Sequence, residues 1–259
     1  IICILRRFIL QNFTLQRAYD RMFRTFSEVI YVNKLNKELL KTNIETVAEY
    51  DFDNHKVFGS AYCVIQEDHV IYKNCFGTTS VDNAEAVTEN TLFRLASMTK
   101  PITAIATLIL VDRGQLSLSD KVTDYLPEFK NVHITQISDN NEIIDFGEAQ
   151  NDITICHLLT HTSGIGSDAA KSQKMTEEDK KSIANTIEFH AKAGLDFEPG
   201  TKQKYSGTGA FDVLVKIIEN ITKTDYLYFL QQEIFEPCEM VNTTFIPTGE
   251  QWKQIIAMH

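Results

Sequence analysis

The sequence predicts a fold that mixes helices with antiparallel strands, and two observations carry that prediction. Apolar residues recur at helical spacing in several segments, most clearly at 99–113 and 211–218. Two runs rich in β-branched and aromatic residues, 60–67 and 70–76, follow each other directly, which is typical of a hairpin. A chain of 259 residues is long enough for a sizeable core. With 43% hydrophobic and 23% charged residues, the composition excludes a disordered chain, collagen and a coiled coil.

The N-terminal segment is expected to be helical. Apolar residues at helical spacing across 8–50 predict two amphipathic segments there. Residues 1–10 are apolar but contain Arg6 and Arg7, and they fall short of the roughly 20 residues that a membrane span requires. A damaged signal sequence is the alternative interpretation of this stretch. Because the sequence starts at Ile1, we expect that its true beginning is missing.

The hairpin and the buried helix after it have clear boundaries in the sequence. Asp68 and His69 separate the two predicted strands, and Gly77 is predicted to end the second. This hairpin is the only sheet that the sequence predicts. The following helix is marked by Pro101 near its start and by Gly114 just after its end.

The second half of the chain predicts loops and shorter helices. The polar, acidic residues 131–152 lack periodicity and predict a surface loop. Asp152 or Thr154 is predicted to cap a short helix over 157–160, which Gly164 would end. The remaining elements are a solvated helix or flap over 167–183, a helix beyond Gly209, and a final helix near 226–235.

Charge and cysteine content argue against nucleic-acid binding and against a fold held by disulfides or a zinc ribbon. The net charge of −10 leaves no surplus of positive charge to neutralise phosphates, so we expect no nucleic-acid partner. Five scattered cysteines without a CxxC pair indicate neither a disulfide framework nor a zinc ribbon. A reducing compartment fits best, so the cytoplasm is favoured, while the cell envelope and secretion stay open.

One tetrapeptide stands where nucleophilic chemistry would be favourable. Ser97-Met98-Thr99-Lys100 is an S-x-x-K motif at the head of the buried helix, where an ammonium group lowers the cost of forming a serine alkoxide. The helix N-terminus also favours negative charge. By itself the spacing is expected about once by chance in a chain of this composition. An ordinary cap at Ser97 and a surface charge at Lys100 are therefore the alternative, and Pro101 disfavours helical geometry at Lys100.

Three blocks in a fixed order give this tetrapeptide its context. They are TLFRLASMTKPITAIATLILVDRGQLSLSD at 91–120, LLTHTSG at 158–164, and EPGT followed by Tyr205-Ser206 at 198–206. Together they make the chain resemble the serine beta-lactamase-related family, which includes class C beta-lactamases, D-Ala-D-Ala carboxypeptidases and related esterases. The resemblance runs from about Lys34 to Pro247.

The resemblance implies a role for each motif residue. Ser97 would be the acyl-accepting nucleophile, Lys100 its lysine partner, and Tyr205 the base that takes the serine proton and returns it to the leaving group. Gly207 stands at the substrate-binding position where the family usually has asparagine. The third motif, Lys or His followed by x-Gly on an edge strand, is absent, because 247–249 reads Pro-Thr-Gly.

The resemblance also implies the architecture. We expect an α+β fold of the beta-lactamase/transpeptidase type, a helix cluster plus an antiparallel sheet flanked by helices, with the sheet incomplete in this chain. The expected divisions are a helical extension at 1–32, the helix and hairpin of the α/β part at 33–90, a helical part with both motifs at 91–225, and a return to the α/β part at 226–259, truncated at its C-terminus.

Two function classes follow. The first is a serine hydrolase that forms an acyl-enzyme from an amide, lactam or ester carbonyl of a small molecule or peptide. The second is a non-catalytic, penicillin-binding-like binding or regulatory protein with a degenerate active site, which Gly207 favours. No cofactor or metal is implied, and a monomer is expected. His157 and His161 have zinc-ligand spacing, but Leu158 replaces the usual glutamate, and a backbone contact of His161 near Gly164 is the preferred interpretation.

Overall fold

A computed structural model describes residues 36–257, with gaps at 55, 67–68, 82–84 and 141. The first helical segment predicted within 8–50, together with Arg6 and Arg7, lies outside the described residues. Within them, the chain forms two compact units: the residues before Ser97 together with those after Met240, and the segment Ser97–Met240. None of the helices in the described ranges has the length and apolarity needed to cross a membrane.

Two pairs of consecutive strands lie within the chain up to Glu148, and the elements that follow in the described residues are helices. The helices are α1 (Lys37–Asp53), α2 (Thr99–Asp112), α3 (Ile155–Leu159), α4 (Ala169–Ser172), α5 (Ile183–Ala193), α6 (Gly209–Thr222), α7 (Tyr226–Leu230) and α8 (Gly249–Gln254). The strands are β1 (Gly59–Gln66), β2 (His69–Gly77), β3 (His133–Ile137) and β4 (Ile143–Glu148).

The first unit contains α1, the β1–β2 hairpin and α8. The two strands pair antiparallel from Gly59 opposite Gly77 to Gln66 opposite His69, which confirms the predicted hairpin. His69, predicted to lie in the turn, is the first residue of β2. Asn36 caps α1 by accepting the Leu39 N–H at 3.1 Å, so the second predicted helical segment of this region is also confirmed.

The core of the second unit is built around α2 and α6. Ala106 and Leu110 of α2 are fully buried, as are Leu214 and Ile217 of α6, so both predicted apolar helices are confirmed. Pro101 is the third residue of α2. A proline is tolerated there because the first-turn N–H groups have no partner within the helix. Lys100 therefore lies inside the helix, one turn from Ser97.

A second hairpin replaces the predicted surface loop over 131–152. β3 and β4 pair antiparallel, so the expectation that the first hairpin is the only sheet was wrong. The reason lies in β4, whose residues IIDFGE are exposed on both faces except Gly147, so no apolar-polar alternation marks the strand. Leu195 forms an isolated parallel bridge with Ile134 of β3.

The shorter helices of the second unit agree only in part with their predicted positions. Thr154, one of two predicted caps, accepts the His157 N–H and begins α3. That helix ends well before Gly164, since Thr160 is its C-cap and His161 takes a left-handed backbone conformation with φ of 58°. Only the four residues of α4 and the start of α5 are helical within 167–183. The final predicted helix is confirmed as α7, which continues into a π-helical turn at Gln231–Phe235.

Candidate active site

Ser97 lies in a 3-10 turn, Ala96–Met98, that leads directly into α2. The residue before it, Ala96, has a positive φ of 46°, a conformation that non-glycine residues rarely adopt. Ser97 is exposed, and its hydroxyl stands near the N-terminal end of an apolar helix. The helix dipole there favours negative charge on a nearby oxygen. The local fold thus presents an accessible hydroxyl where an alkoxide is least costly.

Lys100 approaches Ser97 from one turn further along α2. Its Nζ donates to Ser97 Oγ at 3.3 Å and to the main-chain oxygen of Gly207 at 2.5 Å. The same ammonium lies 4.9 Å from the centroid of the Tyr205 ring and 5.6 Å from that of Phe211. The carbonyl and the two rings thus hold the Lys100 side chain beside the serine hydroxyl.

Tyr205 completes the cluster from the segment that precedes α6. Its hydroxyl donates to Ser97 Oγ at 2.7 Å, and about half of the residue is exposed. Hydrogen bonds from Lys100 first, and with Ser97 second, lower the pKa of Tyr205 below its usual value near 10. The phenol is thus biased towards the phenolate, the form that accepts a proton. The structure brings Ser97, Lys100 and Tyr205 together, all within the second unit.

His161 holds the Tyr205 segment in place. Its Nδ1 accepts the Ser206 N–H at 3.1 Å, and its main-chain oxygen accepts the Lys204 N–H at 3.0 Å. The His161 and Tyr205 ring centroids are 4.7 Å apart. Burial, and then the charge of Lys100, lowers the pKa of His161, which favours the neutral ring that such an acceptor role requires. The ring of His161 therefore finds its backbone partner at Ser206, in the segment that carries Tyr205, rather than in the Gly164 turn.

The two histidines with zinc-ligand spacing both have backbone partners. The Nδ1 of His157 accepts the Thr154 N–H at 3.2 Å, within the capping box of α3, while that of His161 is bound by Ser206 as above. Within the described part of the chain, no three His, Cys, Asp or Glu side chains are grouped so that they could hold a metal ion.

Gly207 contributes its backbone and an open space. Its carbonyl binds Lys100, and a Cβ added at this position would meet no atom within 4 Å. A cavity of about 460 Å³ opens beside it, with a floor and walls of mostly small side chains. Its lining is Gly166, Ser167, Ala169, Ser172, Gln173, Tyr205, Gly207 and Thr208. The missing asparagine amide therefore leaves room next to Tyr205.

The segment 247–249 does not form an edge strand. Thr248 accepts the Gln251 N–H at 3.2 Å and donates its own N–H to the Gln251 side chain at 2.9 Å, which is the capping box of α8. The Pro-Thr-Gly sequence is therefore a helix start. As the sequence indicates, it supplies no counterpart of the third motif.

Sequence reasoning did not find the groups that position the cluster. The Gly207 carbonyl and the Ser206 N–H are main-chain atoms, which no residue pattern marks. The cavity wall on α4 was predicted only as a solvated stretch. The LLTHTSG block was the one available signal for His161, because it points to a fixed turn.

Comparisons with known proteins show the family to which the chain is related. The model of the family described as Beta-lactamase matches residues 21–259. The chain is 30% identical over 223 residues to Esterase EstB of Burkholderia gladioli, covering 82% of this chain and 53% of that protein. It is 29% identical over 215 residues to Protein flp of Staphylococcus aureus (strain MW2), covering 81% of this chain and 39% of that protein. The chain thus spans about half, or less, of the length of these relatives.

The fold agrees with solved structures of the same kind. The structure of a Beta-lactamase/D-alanine Carboxypeptidase from Yersinia pestis, complexed with citrate, superposes with a TM-score of 0.68 at 29% identity. The match covers 86% of this chain and 60% of that one. The α+β architecture of the beta-lactamase/transpeptidase type is therefore present here, as expected from the sequence.

Proposed function

The chain belongs to the Beta-lactamase family, and from this premise we propose that it is a serine hydrolase that acts through an acyl-enzyme on Ser97. The single observation that carries the proposal is the contact of Ser97 Oγ with both Tyr205 and Lys100, at 2.7 and 3.3 Å. A nucleophile within hydrogen-bond reach of a base, with that base held by a third group, is the arrangement that activates a serine.

The chemistry follows from these positions. The phenolate of Tyr205 takes the Ser97 hydroxyl proton while Oγ forms a bond to the substrate carbonyl carbon. The carbonyl electrons move to its oxygen, where the Ser97 N–H and the α2 N-terminus offer stabilisation. When the oxyanion collapses, the bond to the leaving group breaks and the leaving group receives the proton from Tyr205. Water then attacks the acyl carbonyl carbon and gives a proton to the Tyr205 phenolate. When this second oxyanion collapses, the ester bond to Ser97 Oγ breaks, Oγ takes the proton from Tyr205, and the carboxylic acid product leaves.

The substrate in this proposal is a small molecule or peptide with an amide, lactam or ester carbonyl. Support comes from relatives whose names cover more than one of these bonds, an esterase and a beta-lactamase/carboxypeptidase. No step requires a metal or an organic cofactor.

A non-catalytic binding protein is the second candidate. The observation that favours it is Gly207, since a glycine has no amide to orient a substrate at the position where the family usually has asparagine. Against it, Lys100 keeps a hydrogen-bonded partner at this position through the Gly207 carbonyl.

Intact-mass labelling of the full-length protein with a fluorophosphonate tests the proposal. The probe needs an activated serine and little fit to the rest of the site, so it reports the mechanism separately from specificity. We expect one adduct, mapped to Ser97 and lost in Ser97→Ala. Ser119→Ala, which changes another exposed serine, is the matched control and should keep the adduct. Folded protein without an adduct would favour the binding protein instead.

A further inference from the structure

A buried ion pair that the proposed chemistry does not use involves Lys171 of α4, the helix that contributes to the cavity beside Tyr205. Lys171 Nζ stands 2.7 Å from Asp196 Oδ1, and the two side chains are only 4% and 6% exposed. Among the described residues, neither the ammonium nor either carboxylate oxygen has a hydrogen-bond partner outside this pair. A buried charge left alone is strongly unfavourable, so each of the two groups depends on the other.

The Asp196 end of this pair is fixed to the body of the second unit. The Asp196 N–H donates to the Gly164 carbonyl at 2.9 Å. Its neighbour Leu195 exchanges two hydrogen bonds with β3, donating to His133 O and accepting from the Thr135 N–H, both at 2.8 Å. This end of the ion pair therefore cannot move without disturbing a strand.

The Lys171 end has no such support from its own helix. Lys171 belongs to α4, which has four residues, and a helix of that length is unstable without tertiary contacts. Two hydrogen bonds tie the chain before α4 to the Tyr205 segment, from Ser167 Oγ to Lys204 O at 3.2 Å and from the Gly207 N–H to Gly166 O at 3.3 Å. The ion pair ties α4 itself to the segment that carries Asp196.

The residues around Lys171 form one wall of the cavity. Ala169 and Ser172 of α4 and its C-cap residue Gln173 line it, together with Gly207 and Thr208. Apart from the phenol of Tyr205, none of the side chains that line it is ionisable. The volume of about 460 Å³ lies in the lower half of the range for small-molecule pockets. Such a cavity fits an uncharged group of moderate size attached to Ser97.

We propose that the Lys171–Asp196 ion pair positions the α4 wall of this cavity, and that the cavity holds an uncharged acyl group of the substrate. The proposal rests on the acyl-enzyme at Ser97 described above. Lys171 and Asp196 are positioning residues, since they touch neither Ser97 nor the cavity lumen. The pair thereby sets which acyl chains are accepted, while the proton transfers stay with Tyr205 and Lys100.

The first test compares two esters with the same leaving group, p-nitrophenyl acetate and p-nitrophenyl hexanoate. In Lys171→Met/Asp196→Asn, which removes both charges together, we expect the ratio of kcat/KM for hexanoate over acetate to fall at least about tenfold, mainly through KM, because each methylene that loses its apolar contact costs about fourfold. A ratio equal to that of the unchanged protein would overturn the positioning role.

A matched control removes an exposed ion pair instead. Lys192 and Glu188 on α5 are joined at 3.2 Å with 77% and 60% of their side chains exposed. Lys192→Met/Glu188→Gln should keep the ester ratio. An equal fall in both double variants would show that the loss of any ion pair causes it, and would also overturn the proposal.

A second pair of variants tests the cavity itself at one position. Ala169→Leu fills the cavity and should lower the hexanoate-to-acetate ratio by at least about tenfold, since a full pocket excludes the longer chain. Ala169→Ser keeps the side chain small and should lower the ratio far less. Equal ratios for the two variants would overturn the assignment of the cavity to the acyl group.

Tryptic digestion tests the positioning role of the ion pair without relying on catalytic activity. Lys174 follows α4 and is exposed, so we expect faster cleavage after it in Lys171→Met/Asp196→Asn than in the unchanged protein, whatever the activity. Unchanged cleavage would overturn the positioning role. Fluorophosphonate labelling of Ser97 is measured in parallel. If the unchanged protein is not labelled, the proposed function and the acyl site are both overturned. If it is labelled but the ester ratio does not shift in the variant, only the inference is overturned.

Discussion

Lys100 acts on Tyr205 through a short-range contact rather than through burial. About half of Tyr205 is exposed, and its pKa is lowered by the hydrogen bond from Lys100 first, then by that with Ser97 and by the Lys100 charge. A lowered pKa means that the phenolate is populated at less alkaline pH than in a free tyrosine. Because the phenolate is the base in the proposed mechanism, activity should rise as pH increases through this pKa.

Tyr205→Phe should therefore lower kcat/KM by about 10²- to 10⁴-fold, the range for loss of a general base. In the unchanged protein, the alkaline rise of kcat/KM should have its midpoint below about 10. Ester hydrolysis measured across the pH range checks both. Phenylalanine keeps the ring beside His161, so the segment should stay folded. Tyr228→Phe, at another exposed tyrosine, is the control; nearly full activity in Tyr205→Phe would contradict the role.

At the scale of elements, the turn at Gly164 after α3 is hydrogen-bonded to the segment that carries Asp196. Gly164 has a positive φ of 79°, and an added Cβ would lie 2.6 Å from the Phe197 carbonyl oxygen. Gly114, after α2, has a similar φ of 66° but no atom within 4 Å of such a Cβ. The two glycines thus share the conformational requirement and differ only in the space around them.

Gly164→Ala should accordingly destabilise the protein more than Gly114→Ala. The left-handed conformation alone costs an alanine about 1–2 kcal/mol, and this is the whole expected effect at position 114. At position 164 the clash adds to it, and we expect a further loss of at least about 1 kcal/mol. Urea denaturation of both variants measures the difference. Equal free energies of unfolding would mean that the turn relaxes around the new methyl group.

The same elements show how far sequence reasoning reaches. α2 and α6 are predictable because their apolar residues repeat at helical spacing and are buried. β4 is not, since a strand exposed on both faces carries no alternation. Ser97, Lys100 and Tyr205 were found through their motifs. The groups that hold them are the Gly207 carbonyl and the His161 ring bound to the Ser206 N–H, contacts between distant segments that leave no local pattern.

At the scale of the whole molecule, the net negative charge acts on charged substrates before they reach the site. The net charge of −10 produces a negative potential that repels anions. Neutral substrates do not feel this field. The salt dependence of the rate for a charged ester, compared with that for a neutral ester, therefore reports this field.

Salt should change the rate for a charged ester and leave that for a neutral one nearly constant. Raising ionic strength from about 0.01 M to about 1 M shortens the screening length from about 30 Å to about 3 Å. We expect kcat/KM for mono-p-nitrophenyl succinate to rise several-fold over that range, and kcat/KM for p-nitrophenyl acetate to stay within about twofold. Steady-state kinetics measure both. Parallel changes for the two esters would rule out a role for the overall charge.

The hydrogen bond from Lys100 to the carbonyl of residue 207 has a consequence for variation at that position. Every amino acid carries the same main-chain oxygen, so the lysine keeps its anchor whichever side chain stands there. The open space around Gly207 means that larger side chains can be accommodated. Position 207 can therefore be varied by design, changing the side chain presented beside the cavity while Lys100 keeps its main-chain partner.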